Sequence, residues 1–152
     1  MNDELVLEIP SDAAAIQNAV DLVVRRCHQS EYCRRKLELN FRVGLMEALA
    51  NAVLYGNGED PSKRIRLEIA LRAASIEARI TDKGAGFDPT SIPDPTTPEN
   101  IERPGGRGLF LMQKLMDEVR YNDRGNSVTL VLRLDGPNPL DGPNSLDGAR
   151  SA

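Results

Sequence analysis

Apolar and polar residues alternate from the start of the chain. Leu5, Leu7 and Ile9 fall on one side of an extended segment with Val6 and Glu8 between them, and Pro10, which cannot continue a ladder, closes a short opening strand. Period then changes. From Ala13 to about Gln29, Ile16, Ala19, Val20, Val23 and Val24 keep helical spacing opposite Gln17, Asp21 and Arg25, with Ser11 or Asp12 as the cap. A second helix is predicted from about Arg34 to Tyr55. Its stripe is Leu37, Phe41, Leu45, Ala48, Leu49 and Ala52, and it stops at Gly56-Asn57-Gly58.

Strand periodicity returns after the polar turn Glu59-Asp60-Pro61-Ser62. Ile65, Leu67, Ile69 and Leu71, then Ile76, Ala78 and Ile80, alternate with charged residues around Ala73-Ala74, which predicts an antiparallel hairpin. From Lys83 to Gly108 periodicity disappears and five prolines intervene (Pro89, Pro93, Pro95, Pro98, Pro104), so this is a long loop of the kind that carries function. Gly108 opens a helical run through Met116. Val119 to Asn122 and Ser127 to Leu134 are two final strands around Asp123-Arg124-Gly125-Asn126. The fold class is therefore α+β. Residues 135–152, with the near repeat Asp135-Gly-Pro-Asn-Pro-Leu140 and Asp141-Gly-Pro-Asn-Ser-Leu146, have little apolar matter to bury and are expected to be a disordered tail.

Bulk properties narrow the function classes. At 152 residues one domain with a real core is expected over residues 1–134. A formal net charge of −4 leaves no electrostatic footprint for a polyanion, so no direct nucleic-acid partner is expected. Two cysteines, Cys27 and Cys33, with the single His28 make neither a disulfide framework nor a four-ligand zinc site. No apolar run approaches the roughly 18 residues of a membrane span, and the acidic start lacks a signal peptide's basic region, so a cytoplasmic protein without a membrane partner is expected.

Three stretches carry candidate chemistry. Glu47 and Asn51 lie four residues apart, so a helix presents a carboxylate and a carboxamide on one face, a base beside a cation ligand. Alone, that pair also suits a wet helix edge. Asp82-Lys83-Gly84-Ala85-Gly86 sets an acid at a strand end before two glycines that let backbone turn tightly against a flat ligand, although Asp-Gly turns are common. Gly105-Gly106-Arg107-Gly108 immediately precedes a helix, where unobstructed N–H groups suit a phosphate and where a hinge is the plainer alternative.

In this order the three stretches resemble the GHKL, or Bergerat-fold, ATPases: Glu47 to Asn51 is similar to their N box, Asp82-x-Gly84-x-Gly86 to the first glycine box, and Gly106-x-Gly108 to the second. The flow from Asn51-Ala-Val-Leu-Tyr-Gly-Asn57 through Asp60-Pro-Ser-Lys-Arg64 to Arg107-Gly-Leu-Phe-Leu-Met112 resembles the bacterial anti-sigma-factor serine/threonine kinases, over about residues 5 to 134. That resemblance implies a two-layer α/β sandwich, with a mixed, mostly antiparallel sheet, helices on one face and an ATP lid at about residues 88 to 105. It implies ATP and Mg²⁺ as cofactors, Glu47 as general base, Asn51 as the Mg²⁺ ligand and Asp82 as reader of the adenine amino group. Gly84 and Gly86 would form the adenine-side turn. Gly106, Arg107, Gly108 and Leu109 would bind on the phosphate side, with Arg103 as lid cation.

The implied activity is phosphorylation of a STAS-domain anti-anti-sigma factor by a homodimeric kinase that otherwise sequesters a sigma factor, with the N-terminal strand and the first helix as interface elements. Two alternatives stand beside it: an ATP-dependent binding module without kinase activity, and a kinase switching a phosphatase or signalling complex. Tyr55 departs from the family pattern, where many relatives carry His.

Overall fold

The computed structural model describes residues 3–28, 34–58, 60, 62–84 and 106–141. Strand β1 (Asp3–Pro10) leads into α1 (Ala13–Cys27), capped by Asp12, whose Oδ1 accepts the Ala15 N–H at 2.8 Å. Helix α2 (Arg42–Asn51) is followed by the hairpin β2 (Arg64–Leu71) and β3 (Ser75–Thr81). Helix α3 (Gly106–Leu115) precedes β4 (Glu118–Tyr121) and β5 (Ser127–Arg133).

The five strands form one sheet in the order β1-β2-β3-β5-β4. All four pairings are antiparallel, where a mixed, mostly antiparallel sheet was expected. Alternation sorts the two faces. Ile65, Leu67, Ile69, Leu71, Ile76, Ala78, Ile80, Val128, Leu130 and Leu132 are buried under the helices with Ile16, Val20, Val23, Leu37, Phe41, Leu45 and Leu49. Burying an aliphatic chain of this size contributes about 1.5–3 kcal/mol, so this layer is the main stabilising element. The opposite face carries charge, including Arg66 paired with Glu8 and Glu68, and Arg120 with Glu77. This is the predicted two-layer α+β architecture.

The structure departs from the sequence expectations in two places. The second helix is not uniformly α-helical: π-helical turns, Lys36–Phe41 and Ala52–Gly56, flank α2. At its C-terminal end the Asn57 N–H reaches back five residues to the Ala52 carbonyl at 2.7 Å. The wider turn keeps Ala52 and Val53 inside, turns Leu54 and Tyr55 outward, and brings Asn57 into the interior. Gly58, at φ +61°, then ends the helix in the left-handed conformation that glycine adopts without strain.

The second departure is the tail. Residues 135–141, expected to be disordered, continue as a bound segment with a 3₁₀ turn at Pro139–Asp141. Polar groups hold it where apolar ones are lacking, and Asn138 is buried. The expected boundary at residue 134 therefore moves to at least Asp141, while residues 142–152 lie outside the described residues.

Candidate functional site

Helix α2 carries Glu47 and Asn51 one turn apart, both half-buried, on the side that meets the start of α3. The contact is close enough to measure against a missing atom. A Cβ on Gly108 would lie 2.9 Å from Glu47 Oε2, 3.1 Å from Asn51 Nδ2 and 3.3 Å from Asn51 Oδ1. Only glycine lets the α3 backbone come this near to both polar groups. At the other end of the same interface Gly44 admits Met116, whose Cε would stand 2.4 Å from a Cβ on Gly44.

Gly108 is the third residue of α3, within the first turn, where backbone N–H groups have no partner inside the helix. Neither Glu47 nor Asn51 makes a side-chain hydrogen bond to another described residue. A carboxylate, a carboxamide and helix amides without intrahelical partners thus lie side by side without satisfying one another among the described residues. Such a set can hold an oxyanion and a hard cation together.

A second cluster forms at the end of β3. Asp82 Oδ1 accepts the Gly84 N–H at 2.8 Å, closing a tight turn. Two glycines make room for it. A Cβ on Gly56 would fall 2.3 Å from Asp82 Oδ2, and one on Gly84 would fall 2.1 Å from the Gly56 carbonyl oxygen. Burial raises the Asp82 carboxyl above the ordinary aspartate range, against the opposing pull of the Gly84 N–H and the Lys63 charge. Its remaining acceptor capacity suits an amino group of a flat ligand.

Asn57 anchors the second cluster, a role that was not expected from the sequence. Its amide is buried; Oδ1 accepts the Lys83 N–H at 2.7 Å, while Nδ2 donates to Ser11 Oγ at 2.9 Å and to the Lys63 and Arg64 carbonyls at 3.2 and 3.3 Å. The residue after the helix stop therefore ties the Asp82 turn to the beginnings of α1 and β2. An asparagine beside glycines reads locally as a turn residue, and no local signal points to a partner 26 residues on.

Of the other expected site residues, Arg107 is exposed and Leu109 packs, half-buried, against the core. Gly106 begins α3. Gly86, Arg103 and the expected lid lie outside the described residues. Cys27 is fully buried, and burial pushes its thiol up to about 12. Among the described residues no helix is long and apolar enough to cross a membrane, and no cluster of His, Cys, Asp and Glu forms a metal cage.

The family model described as "Histidine kinase-like ATPase domain" matches residues 9–132, which span both clusters, all of β2, β3 and β4, and β5 up to its last residue. The chain belongs to the histidine kinase-like ATPase family. Among its relatives is the serine-protein kinase RsbW of Oceanobacillus iheyensis, 34% identical over 91 residues, which are 56% of this chain and 58% of that protein. Another is the anti-sigma F factor of Anoxybacillus flavithermus, 31% identical over 88 residues, 56% of this chain and 60% of that protein. The chain thus spans less than two thirds of either relative. The crystal structure of the RsbU and RsbW domains of a Mycobacterium tuberculosis protein shares the fold, with a TM-score of 0.61 at 16% identity over 90% of this chain and 34% of that one.

For this histidine kinase-like ATPase the residues present fit a magnesium nucleotide. Gly108 brings the first turn of α3 against Glu47 and Asn51, where a Cβ would crowd both, and Asn51 has an oxygen without a hydrogen-bond partner among the described residues. Mg²⁺ ordinarily takes only one or two protein ligands and completes its shell with phosphate oxygens and water, so a single amide beside a phosphate cradle is chemically sufficient.

Proposed function

We propose that the protein is an anti-sigma-factor-type serine/threonine kinase. It binds Mg-ATP, phosphorylates a STAS-type anti-anti-sigma partner on a hydroxyl, and otherwise sequesters a sigma factor. The observation that carries this reading is the Glu47 carboxylate held beside Asn51 against the first turn of α3. A pure binding module has no use for a base at that point. Family membership supports the use of ATP, and the relatives' names support the kinase and sigma-factor parts of the reading.

Within this reading Asp82 accepts from the adenine amino group, and the turn at Gly84 and Gly86 receives the base edge. Gly106, Arg107, Gly108 and Leu109 bind on the phosphate side, Asn51 is the magnesium ligand, and Arg103 supplies a lid cation. Glu47 takes the proton of the acceptor hydroxyl. Mg²⁺, when bound, neutralises charge on the phosphates, which with positioning is most of what phosphoryl transfer requires. The working form is a cytoplasmic homodimer, with β1 and α1 as interface elements.

The test is incubation of the protein with γ-labelled ATP, Mg²⁺ and STAS-domain proteins encoded nearby, alongside Glu47→Ala. Label on a STAS serine or threonine that falls by several orders of magnitude in Glu47→Ala is the expected result. Partner capture that requires ATP but shows no transfer, and is unchanged in Glu47→Ala, would establish a nucleotide-dependent binding module instead.

A further inference from the structure

The segment after β5 is fastened by polar groups, most of them buried, with the exposed Arg35–Asp141 ion pair at its far end. Lys36, only 3% exposed, directs its ammonium to the carbonyls of Arg133, Asp135 and Gly136 at 2.8, 3.5 and 3.2 Å. Gly136 is in the left-handed region at φ +79°, which curls the chain so that these carbonyls converge. A buried ammonium is tolerated only when its protons are satisfied, so this nest fixes where the segment runs. Beyond it Asn138 and Asn40 form a reciprocal amide pair at 2.8 and 2.9 Å, and Asn138 Oδ1 also accepts the Leu140 N–H at 2.9 Å.

Asn40 does a second thing. Its Nδ2 donates to the carbonyl of Leu115, the last residue of α3, at 2.7 Å. Helix α3, with Met116 just after it, therefore meets the rest of the site through Gly108, Met112, Leu115 and Met116, with Glu47 and Asn51 at one end and the Asn40–Asn138 pair at the other. Ten residues of helix span about 15 Å. Sliding or tilting of α3 on α2 changes the gap at Gly108, and hydrogen bonds at the far end oppose such movement.

We propose that residues 134–141 are a clasp that sets the position of α3, with Lys36, Asn40 and Asn138 as positioning residues for the phosphate end of the nucleotide site. This rests on the proposed reading of Gly106 to Gly108 as that phosphate end. The effect is directional. Loosening the clasp weakens ligands through their phosphates and leaves the Asp82 turn, which Asn57 holds independently, unaltered.

Asn138→Ala is the working variant, because Asn138 lies at the edge of the core and is 8% exposed. Lys36→Met serves as the second should Asn138→Ala fail to fold. Val20→Ala in α1 is a destabilised control remote from α3. Hydrogen exchange is followed in nucleotide-free protein, and affinities are measured for Mg-ATP, Mg-ADP and adenosine. In Asn138→Ala the α3 amides should exchange about tenfold faster while those of β3 and β5 hold, consistent with loss of buried hydrogen bonds. ATP and ADP should weaken about tenfold, adenosine should not, and Val20→Ala should show no such selectivity. Unchanged α3 exchange, or equal weakening of adenosine and ATP, overturns the clasp. If wild-type protein binds no adenine nucleotide, the proposed site reading fails, and the exchange data still decide whether the segment holds α3.

Discussion

Gly108→Ala places one methyl group between the two helices that carry the site. The new Cβ meets side-chain termini only: Glu47 Oε2 at 2.9 Å and the Asn51 amide at 3.1 and 3.3 Å. To regain ordinary contact the carboxylate must retreat by about 0.5 Å and the amide by a few tenths, which costs about 0.5–1.5 kcal/mol in displaced rotamers. Against this, alanine in place of glycine within a helix gains about 0.5–1 kcal/mol. Gly108 is not among the glycines with positive φ, so no backbone strain is added. The two effects nearly cancel. Stability should change by about 1 kcal/mol or less, a shift of roughly 2–4 °C in a domain of this size.

Function should respond much more strongly. A misplacement of about 1 Å at a reacting group can cost around a hundredfold, so half that distance at both base and metal ligand should cost about ten- to a hundredfold in transfer. Thermal melting of the nucleotide-free protein and label transfer from ATP measure the two sides separately. A fall in melting temperature of more than about 10 °C would show that the Gly108 contact is a packing requirement. Transfer at the wild-type rate would show that Glu47 and Asn51 do not act there.

Two further predictions concern the adenine side. The Asp82 carboxyl is raised by burial, so the folded chain holds this proton more tightly than the unfolded one, and the contribution of Asp82 to stability declines as pH rises from the ordinary value of 3.8 through the raised one. Asp82→Asn should therefore melt no lower than wild type at pH 7, with any advantage vanishing below about pH 3.8, while adenine-nucleotide binding is lost; melts across that pH range check it, and a destabilised variant at pH 7 would contradict it. Asn57→Ala removes the Asn57 partner of the Lys83 N–H and of the Arg64 carbonyl, while the Lys63 carbonyl keeps the Ser11 hydroxyl, at about 2–4 kcal/mol. It should also narrow the preference for ATP over inosine triphosphate, and a variant with wild-type discrimination would remove Asn57 from the base side.

What could be seen in the sequence was periodic. The stripes Ile16 to Val24 and Leu37 to Ala52, and the alternation of Ile65 to Ile80, all became buried faces, because burial of an amphipathic element depends on the spacing of its own residues. Glu47, Asn51 and Gly108, set apart by a family pattern in the sequence, lie together in the structure. What stayed hidden was polar and long-range. Asn40 bonds to Leu115 and Asn138, 75 and 98 residues away, and Lys36 finds its carbonyls at a similar separation. Residues 135–141 looked disordered because only their apolar content was weighed, whereas buried amides, an ammonium and the Arg35–Asp141 ion pair fasten them. Gly44 and Gly56 were equally silent, as their value lies in what approaches them.

The π turn at Ala52–Gly56 bears on how this chain can vary. Such a turn is in effect an α-helix carrying one surplus residue, and its removal restores regular winding. A single-residue deletion here would still leave a well-formed helix with its inner stripe intact up to Asn51. Everything after it would be rotated by about 100° and drawn back about 1.5 Å, so Asn57 would no longer face Lys83. The length of the chain between Asn51 and Asn57 is thus a phase setting between the Glu47–Asn51 end and the Asp82 turn, and a stretch tolerant of residue type should be intolerant of residue number.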